Sequence, residues 1–298
     1  MHAAATEAHS AALRTLLRSI GQIVLQANAF TGICLLAGWL LCDPRLACAA
    51  LMGAVAANVS AVLAGHRDDD IRAGLHGFNG ALAALAAFNF IANNATAVAV
   101  AILAATGTSW LLGPWSRWLR SRGLGYFSSP CLIVTWLWLP TAAGVARPAT
   151  MQATHPLDAI ELSTGVLASL AQTGFASSAL AGLLVLIGIA AASVRHALRA
   201  LIGASLASGA HALLGATTSS FDAGLLGFNG ALTALALTDC GLAWLLGGVA
   251  MSAGLQAATA CVGLPAMTAP FVVATWSVQW LRQRVMRNWL RDKPTRRA

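Results

Sequence analysis

Charge is what this 298-residue chain has least of. Only 9% of its residues are Asp, Glu, Lys or Arg, whereas 58% are hydrophobic. A soluble domain carries about 25% charged residues, so this composition cannot build a water-facing surface. No charged residue occurs from Ala73 to Ser116 or from Cys240 to Leu281. Each of these runs exceeds the roughly 20 apolar residues that cross a bilayer. The polar–apolar alternation over ~10-residue segments that marks a membrane β-barrel is missing. The six cysteines form no CxxC pair, and the seven histidines show no HxxxH or HxxEH spacing. No metal site and no cofactor are therefore expected, and each cysteine reads as a small apolar packing residue. The net charge of +8 does not point to nucleic acid, because seven of the eighteen basic residues fall between Arg282 and Arg297, directly after the last apolar run. That placement is expected of a cytoplasmic tail obeying the positive-inside rule, lying against anionic membrane lipid. The start, MHAAATEAHSAALRTLL, is polar and mildly amphipathic, and no cleavable signal peptide is expected there.

What the chain does have is one stretch written twice. Residues 73–86 read AGLHGFNGALAALA and residues 223–236 read AGLLGFNGALTALA, identical at twelve of fourteen positions and 150 residues apart. At the same offset Gln22 aligns with Gln172, Gly32 with Gly182 and Gly38 with Gly188. Near the end of each half the offset falls to 140, where Ser128-Ser129-Pro130 and Thr135-Trp136 align with Thr268-Ala269-Pro270 and Thr275-Trp276. The apolar runs divide into ten segments, at 13–42, 46–65, 73–91, 92–114, 124–145, 162–194, 197–215, 223–239, 241–260 and 263–281. The expected fold is an all-α polytopic membrane protein of about ten segments, with residues 1–145 as a first repeat, 146–161 as a polar linker, 162–281 as a second repeat and 282–298 as a basic tail. With the tail inside, ten crossings put the N-terminus, the turn 117–122 and the turn 195–199 on the same side. All the large basic clusters then face the cytoplasm of a plasma (inner) membrane. Five crossings per half insert the second copy upside down, giving an inverted repeat around a central pore.

Gly-Phe-Asn-Gly does not suit a helix interior facing lipid. Two glycines and an Asn in need of partners suggest a helix start or a break, which at membrane depth must be buried in protein or line a wet cavity. A helix beginning there puts Phe78 and Leu82 on one face, and Phe228 and Leu232 likewise. The alternative is ordinary packing, with glycines for close contact and Phe as filler. In LPAMTAPF, Pro265 and Pro270 break the helix and free nearby carbonyls, and Thr268 adds a hydroxyl. Alternatively this is a kinked helix whose Thr bonds its own backbone. Gln22 and Gln172 lie inside apolar runs and read either as pore-lining amides or as interhelical glue. Asp239 reads as an interfacial acid, and His76 and His211, being unrepeated, as local features.

The duplicated GFNGAL, the duplicated Gln segment and LPAMTAPF together resemble the urea transporter family over nearly the whole chain. The resemblance implies a homotrimer with one pore per subunit and channel-like passage of urea down its gradient with no coupling ion. It also implies two apolar slots for the flat solute, flanked by oxygen acceptors. Phe78 and Leu82 would wall one slot with Leu25, and Phe228 and Leu232 the other with Phe175. Leu25 stands where an aromatic is often found, which loosens the first slot. Gln22, Gln172 and Thr268 match the oxygen-bearing positions, and Ser128 is the first-half counterpart of Thr268. There Gly125 replaces the first Pro of the motif and Cys131 its Phe.

Urea itself suits such a path, being neutral and planar, with N–H donors to be met by uncharged oxygens, and an uncharged constriction makes ion entry costly. The rival channel would carry ammonia or another small neutral polar solute, yet no histidine is duplicated. Paired NPA stretches of a water or glycerol pore are missing. A coupled transporter needs mid-span acids, and Asp239 is the only carboxylate within the parsed runs. An intramembrane enzyme would have to use His66 with Asp68 and Asp70, or His211, none of them repeated or set beside a nucleophile.

Overall fold

The computed structural model describes residues 2–142, 159–263 and 265–291. The expected linker 146–161 falls almost entirely outside them, as do Leu264 of the Pro-rich motif and residues 292–298 of the tail.

Among the described residues every regular element is helical. The first half comprises α1 (His2–Gly21), a 3-10 turn (Gln22–Val24), α2 (Ala29–Cys42), α3 (Pro44–Leu63), α4 (Asp68–Arg72), α5 (Leu75–Phe90), α6 (Asn94–Arg120) and α7 (Ser129–Ala142). The second comprises α8 (Ala159–Gln172), α9 (Ala179–Ala192), α10 (Val194–Leu213), α11 (Thr218–Asp222), α12 (Phe228–Ala236), a 3-10 turn (Thr238–Cys240), α13 (Leu242–Cys261) and α14 (Ala269–Arg291). The bounds of α2, α3 and α4 recur at an offset of 150 in α9, α10 and α11. The sequence accounts for that coincidence through its helix caps. Asn28 accepts from the amides of Phe30 and Thr31, and Ser178, its counterpart, from that of Ala181. Asp43 caps α3 through the Arg45 amide, with Pro44 supplying a fixed first turn, and Ser193 caps α10 through the His196 amide.

Among the described residues three helices are long and apolar enough to span a bilayer, namely α3, α6 and α13. The segment 13–42 is not one straight span. It breaks after Val24, and its two parts are bent by 75°. Leu25 sits at this break with a left-handed backbone (φ 59°), so the i→i−4 ladder cannot run through. Segment 162–194 divides in the same place, between α8 and α9, at Phe175 (φ 63°). The remaining segments hold helices that are shorter, such as α12 with nine residues, or that carry arginines, such as α14. The basic stretch from Arg282 to Arg291 continues α14 as helix.

Small residues set the packing. A Cβ on Gly53 of α3 would overlap the Gly80 carbonyl of α5, and one on Gly80 would overlap the Gly53 carbonyl. Gly203 and Gly230 repeat the crossing between α10 and α12. At the centre α2 packs on α9. Gly38 lies against Ala181 and Gly188 against Thr31, and the Thr31 hydroxyl donates to the Gly188 carbonyl at 2.7 Å. The start of each helix thus meets the end of the other, so the two run antiparallel. Exchanging the halves maps one of these contacts onto the other.

Candidate functional site

The two GFNG stretches lie at the starts of α5 and α12, and each of their residues has a separate task. The first glycines, Gly77 and Gly227, leave no room for a Cβ because Ser19 with Asn58, and Ser169 with Ser208, press against them. The second glycines make the crossings with α3 and α10 described above. The asparagines are clamps. Asn79, fully buried, donates through Nδ2 to the Phe127 carbonyl (3.2 Å) and accepts on Oδ1 from the Cys131 amide (3.1 Å). Asn229 donates to the Met267 carbonyl (3.1 Å) and accepts from the Phe271 amide (3.2 Å). Its Nδ2 also donates to Gln256 Oε1 at 2.9 Å. Positions 127 and 131 correspond to 267 and 271 at the offset of 140, so the same clamp is built twice.

What the clamps hold is unusual backbone. Phe127 (φ 45°) and Met267 (φ 49°) are left-handed without being glycine, a conformation that costs about 1–3 kcal/mol and persists only where surrounding contacts enforce it. With Leu25 and Phe175 they make two repeat-related pairs, and no other described non-glycine residue has positive φ. Each left-handed residue at 127 and 267 is followed by the hydroxyl residue singled out in the sequence. Ser128 and Thr268 stand just before α7 and α14, their carbonyls accepting from Leu132 and Val272. Their hydroxyls meet each other at 2.8 Å. The N-terminal ends of two helices from opposite halves therefore converge on one hydroxyl pair.

The apolar residues singled out in the sequence fall in two core clusters. Phe78 and Leu82 belong to a buried cluster against which Leu25, Phe175 and Tyr126 pack. Leu232 belongs, with Leu132, Phe271 and Val272, to a second cluster, against which Phe228, Leu25, Phe127 and Met267 pack. Leu25 thus touches both clusters, and Phe175 packs with the cluster of Phe78, where it meets Phe90 edge-on at 6.5 Å. The glutamines lie further out. Gln22 donates to the Ala73 carbonyl at 3.3 Å, and Gln172 accepts from the Ser177 hydroxyl at 3.5 Å. Both are half-buried.

Sequence reasoning gave Tyr126 no role and read His76 only as a local feature. Tyr126 faces Phe78 with ring centroids 6.2 Å apart, and it borders a cavity of about 440 Å³ shared with His66, Arg67, Asp70, His76, Arg117 and Arg120. His76 is buried, bonded to the Ser109 hydroxyl at 3.1 Å and in ring contact with His66 at 4.5 Å. The one available signal was difference, since His76 is one of two positions where the repeated fourteen residues disagree. Asp239 is exposed and pairs with Arg195 at 3.3 Å. His211 bonds its own helix, at the Ala207 carbonyl. Among the described residues no group of three or more His, Cys, Asp or Glu side chains is arranged to hold a metal.

A family model described as "Urea transporter" matches residues 13–283. No curated protein matches the chain.

Proposed function

The chain belongs to the urea transporter family, and from that premise we propose that it conducts urea as a channel, down its gradient and without a coupling ion. One observation carries the reading, the Ser128–Thr268 hydroxyl pair at the meeting of two helix ends; the apolar residues proposed below as walls belong to two core clusters. Urea leaving water needs acceptors for its N–H groups and a donor for its oxygen, and two hydroxyls supply both without charge. The helix N-termini that converge there carry partial positive charge, which raises the cost of a cation in the same place. Phe78 with Leu82, and Phe228 with Leu232, are the slot walls, and Leu25 and Phe175, each fixed at a strained helix break, complete them. Gln22 and Gln172 are the outer acceptors.

The proposed membrane arrangement is ten crossings as two inverted five-segment repeats, with both termini cytoplasmic in the plasma membrane. Short helices joined at the breaks complete crossings that no single helix completes. The antiparallel, exchange-symmetric packing of α2 on α9 supports this arrangement. A homotrimer with a pore in each subunit follows from the family resemblance.

Stopped-flow light scattering on proteoliposomes tests the transport reading. The channel predicts fast urea flux indifferent to Na⁺ and to pH, whereas flux that stops without Na⁺ contradicts it. A second reading, passage of ammonia or another small neutral polar solute, draws on the contacting rings of His66 and His76 at the cavity. It predicts that ammonia and urea compete in the same assay.

A further inference from the structure

Phe78 has an aromatic neighbour in Tyr126. The ring of Tyr126 lies 6.2 Å from it, the two planes inclined by 32°. Tyr126 is the chain's one tyrosine. The two halves act as controls for each other here. Position 25 is Leu where its counterpart 175 is Phe, and position 126 is Tyr where its counterpart 266 is Ala. Each half thus holds one aromatic besides the Phe of GFNG, but at a different one of these two places. Building on the reading of this protein as a urea channel, we propose that Tyr126 is the second flat wall of the first slot and sets the solute shape admitted there.

The backbone on either side of Tyr126 is fixed. Trp276 Nε1 donates to the Gly125 carbonyl at 2.6 Å, the Gly125 amide donates to Gln279 at 3.2 Å, and Asn79 holds the Phe127 carbonyl. The main chain is held, but the ring has room beside it, because Tyr126 also borders the 440 Å³ cavity. Carbon atoms pack at about 3.5–4.0 Å, so a flat molecule between two rings needs them roughly 7–8 Å apart. The observed separation is smaller by about an ångström, and the Tyr126 ring therefore tilts into the cavity as a solute enters. A wall set this way discriminates by thickness, admitting flat urea and resisting a solute whose methyl hydrogens stand above and below the plane. A tyrosine suits the boundary, having an apolar face and a polar end. The cavity holds His66, Arg67, Asp70 and His76, whose counterparts 216, 217, 220 and 226 are the uncharged Ala, Thr, Ser and Leu.

The test compares permeability to N,N′-dimethylurea and to urea in proteoliposomes bearing the native protein, Tyr126→Ala, Tyr126→Leu and the double variant Tyr126→Ala/Leu25→Phe. The dimethylurea-to-urea ratio is expected to rise about tenfold in Tyr126→Ala, the size typical of losing one apolar pocket contact. A smaller rise is expected in Tyr126→Leu, which keeps bulk but not flatness and serves if the alanine variant does not assemble. Phe at position 25, which the left-handed backbone accepts as it does Phe175 (φ 63°), should return the ratio towards the native value. An unchanged ratio in both single variants, with urea still passing, overturns the proposal. A native protein that passes no urea overturns the transport reading itself, and with it this wall.

Discussion

The most telling residues are four that a sequence gives no reason to think strained. Leu25, Phe127, Phe175 and Met267 adopt left-handed backbone conformations; two of them are proposed slot walls and the other two precede Ser128 and Thr268. Asn79 and Asn229 bear the burden of holding two of them. Asn79→Leu keeps the volume and removes both bonds, leaving the Cys131 amide and the Phe127 carbonyl buried without a partner, at a cost of about 1–3 kcal/mol each. The variant should unfold at a clearly lower temperature in detergent, and urea flux should fall with it as Ser128 loses its position. An unchanged unfolding midpoint would refute the clamp. Leu substitution of Gln22 or Gln172 should slow urea flux while leaving assembly intact, since neither side chain holds the core together; unchanged flux removes that glutamine from the path.

At the scale of elements, breaks matter more than spans. The caps Asn28, Asp43, Ser178 and Ser193 end up where local chemistry places them, because a capping side chain needs only the next two or three amides. Ser128 and Thr268 were likewise legible from an offset of 140, and they are hydrogen-bonded in the fold. The clamp was not legible, because the partners of Asn79 lie 48 and 52 residues away and are backbone groups common to every residue. The Tyr126–Phe78 face was hidden for the same reason, as nothing in the spacing of 78 and 126 announces contact. The runs 13–42 and 162–194 read as continuous because apolar composition does not record a positive φ at Leu25 or Phe175. Helix contacts yield a prediction of their own. Gly188 faces Thr31 and Cys34, where a Cβ would come within 2.9 Å of the Cys34 Cβ. Gly188→Val must force α9 from α2, costing about 1–3 kcal/mol by overpacking. A lowered unfolding temperature is expected; native stability would deny that this contact is tight.

At the scale of the molecule, α2 and α9 from the two halves pack antiparallel, and the halves share some parts and differ in others. The shared parts are the Gly–Gly crossings, the Asn clamps, the strained breaks and the Ser/Thr pair. The unshared parts, His76 and Tyr126, line one cavity that also holds charged side chains. That pattern fits a channel whose central filter is nearly symmetric and whose entrances are not. The central claim is that solute rests on both sides of the Ser128–Thr268 pair. It is tested most directly by determining the structure with selenourea, whose selenium is located by anomalous scattering. The account predicts selenium beside Phe78 and Tyr126 and again beside Phe228 and Leu232, with the two hydroxyls between them; selenium found only away from both clusters would contradict it.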